Sequence, residues 1–222
     1  MNSKIPEPDS RSLTCPVCEN GELRQFQRVR DTLYHRCPVC EATVMDASDW
    51  LTPEQERAVY DLHDNDPDDP GYRRFLSKLT TPLLDRLPAG AHGLDFGCGP
   101  GPALARMMEE AGMTVSLYDP FFYPQPATLE QRYDFVTCTE VVEHLHQPGA
   151  VFRQLDRLVK TGGWLGVMTC FQTEDSKFAN WHYRRDPTHV VFYREATMAW
   201  LAEKLGWTME VPVKDVVLFR KI

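Results

Sequence analysis

Three sets of residues in this chain have the types and spacing to do chemistry. The first is Gly93-Leu94-Asp95-Phe96-Gly97-Cys98-Gly99-Pro100-Gly101-Pro102, which reads as a buried strand, a glycine turn and the start of a helix. Such a turn, after the first strand of a parallel sheet, brings backbone N–H groups up to a nucleotide. The dinucleotide fingerprint places its third glycine three positions after the second, where helix packs on strand. Here the glycines stand at 97, 99 and 101, and Pro102 occupies that position. Asp95, inside the strand, is a poor neighbour for a pyrophosphate and a good one for a cation. Asp119 ends the next apolar run, where a carboxylate can accept the hydroxyls of a ribose.

The second set is Cys15-x-x-Cys18 and Cys37-x-x-Cys40, a spacing that fits a four-thiolate zinc site. The chain has seven cysteines, so complete disulfide pairing is excluded. Alternating stretches near each pair suggest short strands, and residues 13–46 form a zinc ribbon too small to fold without its metal. A closed site of this kind is structural. Arg24, Arg28, Arg30 and Arg36 alternate with Glu19, Glu22, Asp31 and Glu41, a mixture that reads as a solvated face.

The third set is Glu140-Val141-Val142-Glu143-His144, together with the downstream cluster Trp181, His182, Tyr183, Arg184, Arg185, His189 and Tyr193. His144 can act as a base because an unperturbed imidazole titrates near neutrality. Glu143 and His144 can equally buttress a helix start. The aromatic and cationic cluster has the composition of a lid over a planar or anionic acceptor.

These sets need elements to position them. Thr52, Pro53 and Gln55 predict a capped helix that stops in the acidic run "HDNDPDDPG". The acidic run has aspartates at 64, 66 and 68, as a calcium loop does, but Asp69 and Phe75 stand where that loop needs Gly and Glu. Residues 47–90 therefore read as a helical linker able to cover a site, with helical spacing over 72–87 interrupted at Pro82. From 91 to 222 strands at 93–96, 114–119, 133–138, 164–170, 208–213 and 216–221 alternate with amphipathic helices, the pattern of a parallel α/β sheet.

The glycine stretch resembles motif I of the class I S-adenosylmethionine (SAM)-dependent methyltransferases, an acidic residue followed by G-x-G-x-G. The resemblance continues through "YDFVTCTEVVEHL", "LDRLVKTGGWLGVMT" and "DPTHVVFYREATMAWLAEKLGW" and covers residues 90–222. It implies an α/β Rossmann-like methyltransferase sheet with flanking helices, here preceded by the small ribbon, and SAM as cofactor. It also implies that Asp95 and the turn Gly97, Cys98, Gly99 and Gly101 hold the methionine part, that Asp119 holds the ribose, and that Thr139 and Glu140 border the transfer site. Residues 120–132 depart from the family, being too few for a helix, a strand and their loops. Phe121 or Phe122 is expected to wrap the adenine edge instead.

The E-x-x-E-H pattern is similar to that of quinone-type O-methyltransferases and of small-RNA 2'-O-methyltransferases. In the RNA enzymes it holds a divalent metal with a further His, which His182 or His189 would supply here. The candidate catalytic residues are thus His144, Glu143 and His189, as base, metal ligands or structure. An N-terminal zinc unit before such a domain is similar to ribosomal-RNA guanine methyltransferases and to certain sugar C-methyltransferases.

The composition is 42% hydrophobic and 25% charged, that of a globular protein, and the net charge of -8 disfavours a broad nucleic-acid surface. The acidity favours a small-molecule acceptor over RNA, with a protein partner at the ribbon as a further use. Residues 1–12 read as a flexible, polar N-terminus without a signal-peptide core, and no window reads as a membrane span, so a cytoplasmic location is expected. Two rival readings remain open: a non-catalytic ribbon adaptor on a degenerate methyltransferase fold, and a nicotinamide-dependent oxidoreductase.

Overall fold

The computed structural model describes residues 13–62 and 65–222. The flexible N-terminus expected over 1–12, and Asp64 of the acidic run, lie outside the described residues. In chain order the elements are β1 (Arg24–Val29), β2 (Thr32–Arg36), β3 (Thr43–Met45), α1 (Pro53–Tyr60), α2 (Pro70–Leu84), β4 (His92–Phe96), α3 (Ala103–Glu110), β5 (Thr114–Tyr118), β6 (Tyr133–Thr139), α4 (Pro148–Leu158), β7 (Val159–Met168), β8 (Val191–Phe192), α5 (Glu195–Leu205), β9 (Trp207–Val213) and β10 (Val216–Lys221).

The main sheet has the order β5-β4-β6-β7-β10-β9. Strands β4 to β7 are parallel, and β10 and β9 add antiparallel at one edge. Leu94, Phe135, Val136, Leu165 and Val167 bury on the central strands, giving the near-continuous apolar runs that a sheet covered on both faces requires. Beyond β5, among the described residues, 120–132 form only a bridge between Asp119 and Tyr123 and a 3-10 turn over Pro126–Glu130.

Helix α1 starts at the expected capping box, in which the Thr52 hydroxyl accepts from the Gln55 N–H and the Gln55 side chain accepts from the Thr52 N–H. Helix α2 corrects one expectation, because it runs through Pro82 without interruption. Pro82 lies in the last turn, where its missing N–H forfeits one bond near the helix end, and the Arg86 guanidinium donates to the Pro82 carbonyl. The apolar stripe Leu76, Leu79 and Leu83 then packs in one cluster with Leu104 and Met108 of α3.

A second sheet has the order β1-β2-β3-β8. Three of its strands belong to the ribbon segment, and the fourth, β8, follows the insertion after β7. The pairing sets Thr43 against Phe192 and Val44 against Val191. Phe178, from the insertion, meets Phe26, Tyr34 and Phe192 edge-on at centroid distances of 5.4, 4.9 and 5.4 Å. Of the cluster expected to form a lid, Trp181 leans on Phe192, the buried Tyr193 hydroxyl donates to the Val142 carbonyl and the Arg184 guanidinium reaches the Tyr34 hydroxyl. The seam with the ribbon is made by Phe178 of the insertion and Phe192 of β8, whose large apolar faces gain from burial.

The ribbon seam yields a first prediction. Truncating Phe178 to Ala removes a fully buried ring from it and is expected to cost about 3–5 kcal/mol in urea denaturation. A loss below about 1 kcal/mol would mean that the seam closes without the ring.

Candidate active site

The carboxyl ends of β4, β5 and β6 open into a cavity of about 580 Å³. Its lining includes Asp95, Gly97, Cys98, Gly99, Asp119, Phe121, Thr139, Glu140, His144 and His189. Two residues expected at the site lie outside that lining. Gly101 is absent from it because its bare Cα receives the linker, and a Cβ there would lie 2.0 Å from the Asn65 carbonyl oxygen. Glu143 is fully buried behind the surface.

Asp95 is buried and accepts a hydrogen bond of 2.8 Å from the Thr137 hydroxyl, which ties β4 to β6. Burial pushes its pKa up to about 6, against the opposing effect of that bond. Asp119 is also buried, with Oδ1 accepting from the Phe121 and Phe122 N–H groups and Oδ2 from the Gly99 N–H. A carboxylate oxygen has two acceptor positions, so Oδ2 retains one for a ligand hydroxyl. The Thr139 hydroxyl, at the tip of β6, is buried in the cavity lining without a hydrogen-bond partner.

The turn itself is shaped by sterics. Gly97 holds φ +77, and a Cβ there would meet Val141 at 2.4 Å. Glu140 turns the chain after β6 with φ 52, a conformation that non-glycine residues avoid and that concentrates at functional sites.

Behind this rim lies a buried polar network. The Tyr183 hydroxyl stands 2.5 Å from Glu143 Oε1 and 3.1 Å from Glu140 Oε2, and the Thr169 hydroxyl donates to Glu143 Oε2 at 3.0 Å. Burial, reinforced by the Glu143 charge, raises the Glu140 pKa well above the usual carboxylate range. Burial also raises Glu143, opposed by His189 and by the Tyr183 bond.

Both histidines present Nδ1 to a carbonyl, His144 to Thr188 at 3.2 Å and His189 to Tyr183 at 2.7 Å. A carbonyl only accepts, so Nδ1 carries the hydrogen in each ring and Nε2 is the basic nitrogen. Burial, followed by the neighbouring His144, lowers the His189 pKa. One donor atom each from Glu143, His144 and His189 lies within 4.8 Å of the others, a group able to hold a divalent cation. His182, the other expected ligand, is exposed and outside this group.

The linker supplies side chains that sequence reasoning did not single out. Tyr60 of α1 meets the Phe121 and His144 rings at 5.7 and 5.5 Å, and Arg57 lies over Phe121 and Phe122. Tyr72 and Leu76 of α2, with Asn65 between the helices, complete that wall. Asp186, also unassigned beforehand, lines the cavity beside His189.

At the ribbon, Cys15 and Cys40 Sγ are 3.7 Å apart and Cys18 and Cys37 Sγ 3.6 Å, too far for disulfides. Four thiolates about 2.3 Å from zinc in a tetrahedron stand about 3.8 Å apart, so these residues fit the metal. Glu19 and Glu41, one past each pair, take φ 56 and 61, which lets their N–H groups bond the Cys15 and Cys37 carbonyls and wrap each turn around its thiols.

A mostly parallel sheet with a glycine turn after its first parallel strand and an acidic end to its second is the architecture that the resemblance to class I methyltransferases implies. The family model described as methyltransferase domain matches residues 69–210, and the chain belongs to that family. Among curated relatives, the ubiquinone biosynthesis O-methyltransferase of Proteus mirabilis is 36% identical over 95 residues, covering 43% of this chain and 39% of that protein. Its counterpart from Escherichia coli O6:H1 is 31% identical over 159 residues, covering 57% and 63%. The chain thus spans less than two thirds of the length of these relatives.

Among solved structures, the Burkholderia thailandensis 1,6-didemethyltoxoflavin-N1-methyltransferase, with 1,6-didemethyltoxoflavin and S-adenosylhomocysteine (SAH) bound, aligns with TM-score 0.53 at 17% identity over 90% of this chain and 99% of that one. The magnesium protoporphyrin IX methyltransferase of Synechocystis PCC 6803, with SAH bound, aligns with TM-score 0.51 at 16% identity over 76% and 93%. Among the described residues no helix is long and apolar enough to cross a membrane.

Replacing Gly97 by Ala forces both a strained φ and a clash with Val141. The melting temperature is expected to fall by roughly 5–10 °C, taking a loss of about 2–3 kcal/mol at a few degrees per kcal/mol. Unchanged melting would show that the turn accepts a side chain.

Proposed function

We propose that this chain transfers the methyl group of SAM to a hydroxyl of a small-molecule acceptor. The observation that carries the reading is Asp95, a buried carboxylate in the cavity that no lysine or arginine among the described residues neutralises. A carboxylate so placed suits the ammonium group of SAM, and the unpartnered Thr139 hydroxyl suits a further polar atom of the same ligand. Asp119 Oδ2 would accept one ribose hydroxyl, and Phe121, beside Arg57 and Tyr60, would cover the adenine.

In the transfer, an acceptor oxygen forms a bond to the methyl carbon as the carbon–sulfur bond breaks, and sulfur keeps the electron pair and becomes a neutral thioether. The acceptor proton passes to His144 Nε2, the basic nitrogen set by the Nδ1 bond to Thr188. The main demand is alignment, which the Glu140 and Glu143 network provides. The quinone-pathway relatives and the aromatic wall of Tyr60, Tyr72 and Phe121 support a small planar acceptor. The ribbon supports this reading over an adaptor, because its aromatic face is covered by its own insertion.

A second reading of the His144 region rests on the Glu143, His144 and His189 cluster. Those residues would hold a divalent cation, which would supply Lewis-acid activation of the acceptor hydroxyl. In either case His144→Gln is expected to lower methyl transfer by about 10²–10⁴-fold. Transfer is measured from labelled SAM into cell extract split into metabolite, RNA and protein fractions. SAM affinity should stay within about threefold. Label in the RNA fraction alone would overturn the small-molecule assignment. Recovery of chelator-treated enzyme by an added divalent cation would select the metal reading.

The Asp95 pKa sets a pH signature. Its value is raised, so the carboxylate is lost as pH falls through about 6, and SAM affinity measured by calorimetry should drop about tenfold per pH unit below that point. The Asp95→Asn protein should bind weakly with no such dependence. Wild-type affinity in Asp95→Asn would remove Asp95 from the cofactor site.

A further inference from the structure

We propose that the zinc ribbon is a positioning element of the active site, holding Glu143 and His189 in register through two grips whose separation the four thiolates set. The proposal builds on the reading of the cavity as a methyl-transfer site. One grip is a ladder from the second cysteine pair. The Cys37 N–H bonds the Ala42 carbonyl, where the chain enters β3. From β3 the Met45 N–H bonds the Val190 carbonyl, and the Val190 N–H bonds the Glu143 carbonyl at 2.8 Å. Val190 directly follows His189, so one residue, through its N–H and its carbonyl, links the ribbon to both candidates.

The other grip comes from the first pair. The Gly149 N–H, at the start of α4, bonds the Pro16 carbonyl inside the Cys15–Cys18 turn at 2.9 Å. A Cβ on Gly149 would lie 2.7 Å from the Val17 carbonyl oxygen, so only glycine permits the approach. Arg153, one turn further along α4, pairs with Glu19. The segment 140–149 is therefore held at Glu143 by one knuckle and at Gly149 by the other. A metal that draws the two cysteine pairs together fixes the distance between the two holds. Tyr183 and Thr169 set the Glu143 side chain. The main body holds the same backbone through the Val142 carbonyl, bonded by Tyr193, and the Glu140 N–H, bonded to Met168, so the ribbon adds the hold at Glu143 itself.

The test uses the full chain with SAH bound and reads histidine ring resonances by NMR, assigned with His144→Gln and His189→Gln. Zinc is displaced by a mercurial and counted with a colorimetric chelator. The expected result is release of one zinc, SAH affinity within about threefold of the loaded protein, and, besides His35 in the ribbon itself, displaced or broadened ring signals at His144 and His189 with His92 unmoved. Unmoved His144 and His189 signals after zinc release would overturn the proposal. So would loss of SAH binding together with general collapse of the spectrum, since the ribbon would then be a global folding element. A second variant, Met45→Pro, removes the N–H that bonds Val190 and keeps the four thiols. It should displace the His189 signal with zinc retained, and an unmoved signal in the folded variant would equally overturn the proposal. If that variant does not fold, the zinc-release result decides. SAH that fails to bind the untreated protein would instead count against the methyl-transfer reading.

Discussion

Keeping carboxylates buried at the edge of a sheet is unfavourable, and much of this structure follows from how that penalty is met. Asp95, Asp119, Glu140 and Glu143 all stand at or behind the carboxyl ends of β4, β5 and β6. Each meets its environment differently. Asp119 is satisfied by three backbone N–H groups, and Glu143 by two hydroxyls. Glu140 accepts from Tyr183 and has a raised pKa, while Asp95 accepts from the Thr137 hydroxyl and the Ala105 N–H and keeps an elevated pKa with no cation beside it among the described residues. A buried carboxylate that the protein leaves without a cation is one that a cationic ligand would compensate, which is how an open site differs from a structural network.

The same constraint explains the insertion after β7. Tyr183 must reach between two glutamates, and its segment must be held firmly enough to make a short hydrogen bond worthwhile. The insertion obtains that rigidity from the ribbon, through the ring cluster of Phe26, Tyr34, Phe178 and Phe192. Two apparently separate parts of the chain, the four-cysteine ribbon and the insertion that carries Tyr183, therefore stabilise each other.

Much of this was readable in the residues alone. The strands of the main sheet, the capping box at Thr52 and the approximation of the four cysteines all follow from local spacing, where period and turn chemistry act within a few residues. The side chains of the linker were not readable. Tyr60 and Tyr72 look like ordinary helical aromatics, and only the path of the chain over the glycine turn brings them to the cavity. Gly101 fits the motif by position, yet its role here is to admit Asn65. The docking of the insertion on the ribbon was not readable, because β8, at two residues, is too short to leave a periodic signal, and without it nothing ties residue 178 to residue 34. Pro82 was misread for a simpler reason: a proline in a last helical turn loses only one bond.

The pairing of β3 with β8 also bears on how the chain is made. Thr43 meets Phe192, so the edge of the ribbon sheet has no mate until β4 to β7 and the insertion after them have left the ribosome. A growing chain folds from its N-terminus, and contacts between distant residues form slowly. During that interval β3, three buried residues in the finished protein, is an open edge with the means to recruit a foreign strand. Its shortness, and the charged β1–β2 hairpin beside it, limit what such an edge can capture before its own partner arrives.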